Sequence, residues 1–153
     1  MSLEFFILSE DLSWLDARIH ELDKTIQDLG PEFYDVFNQS SETWHDNAPF
    51  DALRDKQSVL FAEYTHLRAI RQKAQLYRDA KDDSVVSIGK YITINNKKFH
   101  IAGDWTRNAG KTLNGITTIS RQSPLAQEII GKPAGTLTKY GIIENIVSTY
   151  GDK

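Results

Sequence analysis

The sequence predicts an α+β fold: an N-terminal antiparallel two-helix coiled coil, then a small antiparallel-sheet domain with one short helix. Three observations point to it. Apolar residues recur in alternating steps of three and four through the first half, and after Asp83 the pattern changes to β-branched alternation. Charge changes sign at the same place. Residues 1–82 hold 16 Asp or Glu against 9 Lys or Arg, and residues 83–153 hold 5 against 9. Two domains are therefore drawn, 1–82 and 83–153.

The helical half opens at Ser9, followed by Glu10 and Asp11, whose charges favour the positive end of a helix. From there Leu12, Leu15, Ile19, Leu22, Ile26, Leu29, Phe33 and Val36 keep one heptad seam, with charges between. Gly30-Pro31 interrupts without shifting the frame, which predicts one continuous helix, bent or irregular at that point. A break follows at Asn38–Ser41, and turn formers and caps run on to Pro49, which suits a helix's first turn. The second helix carries Phe50, Leu53, Leu60, Phe61, Tyr64, Leu67, Ile70 and Tyr77. Each helix is about thirty residues, so the pair extends roughly 45 Å at 1.5 Å per residue. The turn near 42–49 forms its far tip.

In the second half, Ser84–Asn95 reads as a strand and Asn95-Asn96 as a turn into Lys98–Ala102. Asp104–Gly115 reads as a loop, and Ile116–Ser120 as a further strand. Ser123-Pro124 opens a short helix through Ile130, closed by Gly131. Thr136–Tyr140 and Ile142–Tyr150 complete the sheet.

Several chemistries are excluded. Cysteine is absent, which removes disulfides, thiolate zinc ligands and thiol nucleophiles. The apolar run Phe5–Leu8 is far shorter than the roughly 18 residues of a membrane helix. It has no basic flank, so it is not a signal peptide; a cytoplasmic protein with no membrane partner is expected. Gly110-Lys111-Thr112 resembles the end of a phosphate loop, but the required upstream glycine is Trp105. His20, His45, His66 and His100 are scattered, and His100 reads as a strand residue. Residues 1–50 hold 11 acids against Arg18 and Lys24, which disfavours independent, sequence-specific DNA binding. The tip remains: Glu42, His45 and Asp46 beside Trp44. Two carboxylates hold a divalent cation weakly unless another molecule supplies further oxygens.

An antiparallel coiled coil with an acidic tip, then a β domain with a Ser-Pro-Leu-Ala helix, resembles the bacterial Gre transcript-cleavage factors over about Leu12 to Tyr150. The most specific segments are Asp46-Asn47-Ala48 with Phe50 and Arg54, and Ser123-Pro124-Leu125-Ala126 through Ile130-Gly131-Lys132; Pro31-Glu32 also matches. The resemblance implies an FKBP-like second domain without implying prolyl isomerase activity. It implies that the protein is not itself an enzyme but a factor that docks at the rim of the RNA polymerase secondary channel. The coiled coil would enter the channel and reach the 3′ end of backtracked RNA. There Asp46 and Glu42 would be the catalytic acids, sharing a Mg²⁺ with the polymerase active centre, no cofactor being the factor's own. Thr43, Trp44, His45 and Asn47 would support the tip, and Ser123, Pro124 and Leu125 would contact the polymerase.

The family tip reads Asp-x-x-Glu-Asn-Ala. Aligned on Asn47-Ala48, its second acid is Asp46 here and its first falls on Thr43, with Glu42 adjacent. Either Glu42 takes over the metal role, giving a cleavage factor, or the protein is a channel-binding regulator without cleavage. A third reading, from another class, is a generic coiled-coil interaction module. The closed hairpin of the first two readings is monomeric.

Overall fold

The computed structural model describes residues 4–40, 48–78 and 82–148. Two compact units form, Ser13–Lys73, and Met1–Leu12 together with Ala74–Lys153. This division differs from a boundary at 82/83, because the first residues pair with the later part of the chain.

The helical unit is built from α1 (Ser9–Ser40) and α2 (Ala48–Lys73). α1 runs through Pro31 without ending. The carbonyl deprived of its N–H partner by Pro31 is that of Gln27, itself an exposed residue on the water-facing side of the helix. The heptad seam is occupied unequally. Leu15, Leu22 and Leu29, seven apart, are buried to 2% exposure or less, while Leu12, Ile19, Ile26 and Phe33 are half-buried. From α2, Leu67 and Ile70 are buried and Leu53, Leu60 and Tyr64 half-buried, but Phe61 faces solvent.

Cross-helix pairs confirm the antiparallel arrangement. Arg18 donates from Nε and from a terminal nitrogen to the Glu63 carboxylate, both at 2.8 Å. Arg71 Nε reaches Asp16 at 2.6 Å, and Phe33 meets Phe50 edge-on at 5.6 Å. The bidentate bond to Arg18 holds the Glu63 carboxyl below its ordinary pKa. Such partly exposed pairs contribute about 0.2–1 kcal/mol each; they fix partner and direction more than stability.

α2 ends at Lys73 rather than continuing towards residue 82. β1 (Phe6–Ile7) and β2 (Gln75–Leu76) pair in parallel. The Gln75 N–H is taken by the Phe5 carbonyl and the Tyr77 N–H by that of Ile7, so strand pairing replaces further helical turns. Tyr77, placed on the helix by its spacing, packs edge-on against Phe6 at 5.5 Å instead.

The main sheet contains β3 (Tyr91–Ile94), β4 (Lys97–Ile101), β5 (Thr112–Leu113), β6 (Ile116–Ile119), β7 (Leu137–Thr138) and β8 (Gly141–Val147), in the order β5-β6-β4-β3-β8-β7. Asn95 and Asn96, at φ 52° and 65°, turn β3 into β4, as the Asn-Asn pair predicts. The sheet is not wholly antiparallel. β6 runs parallel to β4, His100 beside Thr118, because β5, antiparallel to β6, first carries the chain back to the end at which β4 starts. β5, inside the segment expected to be loop, is the outer strand of a hairpin turned by Asn114-Gly115.

One face of this sheet buries Ile92, Ile94, Ile101, Ile143 and Ile146 against Val86 and against Ala126 and Ile129 of α3 (Pro124–Ile129). Each of the isoleucines and Val86 contributes about 1.5–3 kcal/mol by leaving water.

Ser84–Lys90 alternates like a strand, yet the ladder begins only at Tyr91. Val86 and Ile88 reach the core from irregular backbone, with Gly89 at φ 91° and the Lys90 N–H bonded to the Ser87 carbonyl. Lys90 itself is fully buried. Its Nζ lies 2.8 Å from Asp83 and donates to Ser148 Oγ at 3.0 Å, while Ser148 donates to Asp83 at 2.6 Å. These bonds from Lys90 and Ser148 lower the Asp83 pKa from its ordinary 3.8.

A second buried charge fastens β1. Asp104 accepts the Phe6 N–H at 2.7 Å and Arg121 Nε at 2.8 Å, and its own N–H bonds to the Phe6 carbonyl at 2.7 Å. Gln122 also donates to it. Its side chain is wholly enclosed. The neighbouring Gly103 has no room for a side chain: a Cβ there would overlap the Phe6 carbonyl and lie 2.8 Å from Ile7 Cα.

Two measurements check this account. Gly103→Ala should lower stability by about 1–3 kcal/mol, the usual range for overpacking, read as an earlier urea midpoint. Asp83→Asn should cost about 2–3 kcal/mol, less than the ~3–5 of a fully buried pair because Asp83 is half exposed. Since the folded-state pKa of Asp83 is depressed, the gap between wild type and variant is full above the ordinary carboxylate pKa. It closes as pH falls through the lower folded value.

Candidate functional site

The sequence places functional residues at two sites. Glu42, Thr43, Trp44, His45, Asp46 and Asn47 lie outside the described residues, between the end of α1 at Ser40 and the start of α2 at Ala48. The second site, Ser123-Pro124-Leu125, begins α3. Ser123 is its N-cap, with extended backbone at φ −68° and ψ 152°; its hydroxyl accepts the Ala126 N–H at 3.3 Å and donates to the Ser120 carbonyl at 2.7 Å. Pro124, in the first turn, is exposed. Leu125 is half-buried and packs on the sheet core. It also lines a shallow depression with Phe99 and Tyr140. Pro124 is thus available to a partner, while Ser123 and Leu125 hold the turn that presents it.

A cavity of about 260 Å³ lies on the opposite face of the sheet from the core. Its most ordered feature is a cross-strand pair: the rings of Tyr91 and His100 stack with centroids 4.2 Å apart and planes 6° from parallel. His100 is on β4, as its setting predicts. Burial lowers the His100 pKa and outweighs the opposing effects of Glu10 and of a bond to Gly89, favouring the neutral ring. From the first turn of α1, Glu10 and Asp11 complete one wall. Asp11 is buried, which raises its pKa against bonds from the Thr106 hydroxyl at 3.0 Å and the Arg107 main chain. These positions are scattered along the sequence, and no motif links them.

Among the described residues no three His, Asp or Glu side chains are grouped to hold a metal. Among the described residues no helix is long and apolar enough to cross a membrane.

Transcription elongation factor GreA of Mesoplasma florum is 30% identical to this chain over 146 residues, covering 88% of this chain and 87% of that protein. The chain belongs to the GreA family of transcription elongation factors. GreA of Staphylococcus aureus strain Newman is 29% identical over 93 residues, 57% of this chain and 56% of that protein. Among solved structures, GreA factor homolog 1 (Gfh1) of Thermus thermophilus aligns over 97% of this GreA-family chain and all of its own, at 14% identity and a TM-score of 0.47. No protein-family model matches the chain.

Ser123→Ala should destabilise the protein by about 1 kcal/mol through loss of the cap. Circular dichroism melting checks this, with Pro124→Ala, whose side chain is exposed, as the comparison.

Proposed function

We propose that this GreA-family protein binds RNA polymerase at its secondary channel and stimulates the polymerase's own cleavage of backtracked RNA. The observation that carries the reading is the 30% identity, across nearly the whole chain, to a transcription elongation factor. Two features support it. The antiparallel pairing of α1 and α2 makes a hairpin whose connection holds Glu42 and Asp46. α3 offers an exposed Pro124 on a capped turn.

In this reading Pro124, held by Ser123 and Leu125, touches the polymerase rim. Asp46 and Glu42 add carboxylate oxygens to a Mg²⁺ that the polymerase already holds, and they position a water for attack on the RNA backbone. Thr43, Trp44, His45 and Asn47 are the supporting residues of the tip in this reading. The Mg²⁺ belongs to the polymerase, and it supplies charge neutralisation for the scissile phosphate.

A second reading keeps the docking and omits the cleavage. It is favoured by one feature, Thr43 at the position where the family pattern carries its first acid. Stalled, backtracked elongation complexes with end-labelled RNA separate the two. Addition of the protein should shorten the RNA, and Asp46→Ala should slow this at least about tenfold, the loss typical of removing even an outer partner of a metal site. Glu42→Ala shows whether that residue stands in for the missing acid. No shortening, together with slowed nucleotide addition at saturating protein, overturns the cleavage reading and leaves the regulator.

A further inference from the structure

The cavity above His100 is unrelated to the tip, and its chemistry is specific. In one cross-strand row Tyr91, His100 and Thr118 stand side by side on β3, β4 and β6. Tyr91 covers one face of the imidazole. On the other side the neighbour is only a threonine, too small to cover a ring, and there the cavity opens. Strand spacing of about 4.8 Å leaves room over Thr118 for one more planar group stacked on His100.

Charge narrows the occupant. Glu10 is exposed at the wall and acts electrostatically on both Tyr91 and His100, and Asp11 lies beside it. No Lys or Arg is among the described residues lining the cavity; the remaining polar lining is neutral, including Asn108. Phosphate-bearing ligands are therefore disfavoured, since they would meet two carboxylates. An ammonium is compact and strongly hydrated, and it cannot stack as a plane in a narrow slot. A guanidinium is planar and weakly hydrated, stacks on aromatic faces, and offers N–H donors in its own plane to carboxylates at its edge.

We propose that the cavity formed by His100, Thr118, Glu10 and Asp11 is a receptor for an arginine side chain of a partner polypeptide. The guanidinium stacks on the open imidazole face and donates to Glu10 at the rim. This contact is separate from the tip chemistry and does not depend on whether the protein stimulates cleavage.

The test uses the full isotope-labelled chain and three blocked amino acids as probes: N-acetyl-arginine, N-acetyl-lysine and N-acetyl-norleucine methylamides. Adenosine serves as a planar, uncharged fourth. The arginine probe should shift the His100 ring signals saturably, with a dissociation constant in the millimolar range and at least about fivefold below that for lysine. Glu10→Gln changes an exposed group and should weaken arginine binding severalfold; Thr118→Leu, which fills the slot, should abolish it while the rest of the spectrum stays folded. If Thr118→Leu does not fold, Thr118→Ile, which keeps the β-branch suited to a strand but is larger than threonine, should fold and reduce the binding by partly filling the slot. Equal shifts from all probes, no saturation, tighter binding of adenosine, or arginine binding unchanged in Glu10→Gln would each overturn the proposal.

Discussion

The unit that carries the sheet depends on one buried carboxylate. Asp104 sits in a fully enclosed position and spends its oxygens on the Phe6 main chain, Arg121 and Gln122. A charge buried there is tolerable only because donors surround it, and those donors come from two stretches of chain far apart in sequence, Phe6 and Arg121-Gln122. Phe6 is thereby held on both sides, by Asp104 and through its neighbours by β2. Gly103 permits the approach by having no side chain. With β1 in place, the first turn of α1 follows within two residues, which sets Glu10 and Asp11 where the Tyr91–His100 pair can meet them.

The sheet divides its two faces between stability and recognition. Isoleucines from three strands fill one face beneath α3, and alternation then obliges Tyr91, His100 and Thr118 to project from the other. Of the proposed docking residues, Ser123 and Leu125 stabilise their own turn, and Pro124 is the one left free by the fold. In the helical unit the arginines of each helix reach acids of the other, so the acidic excess of α1 is partly answered by α2.

Features encoded by local rules were legible in the sequence. The seven-residue repeat of Leu15, Leu22 and Leu29 announces the seam, and its unbroken frame across Pro31 announces a single helix. Asn95-Asn96 and Ser123-Pro124 carry their conformations in their own chemistry. Features fixed by distant partners were not legible. β1 and β2 are two residues each, too short to show a period, and exist because they pair with each other. The parallel direction of β6 against β4 depends on where a connecting segment returns, which composition does not record. Ser84–Lys90 alternates because Val86 and Ile88 are buried, though no strand forms there. The cavity joins α1, β3, β4 and β6, so only the folded chain assembles it.

The bond between Phe6 and Asp104 spans 98 residues of sequence, and this sets an order of events during synthesis. β1 and the whole of α1 leave the ribosome well before Asp104, Arg121 and Gln122 exist to receive them. The helical hairpin and the β1–β2 pair close through contacts nearer in sequence, whereas the bonds between Phe6 and Asp104 wait for the later part of the chain. Closing so long a loop is slow but adds little to the equilibrium cost, which grows only with the logarithm of its length. The Asp104 clasp on β1 can therefore close only after residue 122 has been made, and a chain halted before residue 104 has the β1–β2 pairing without that clasp.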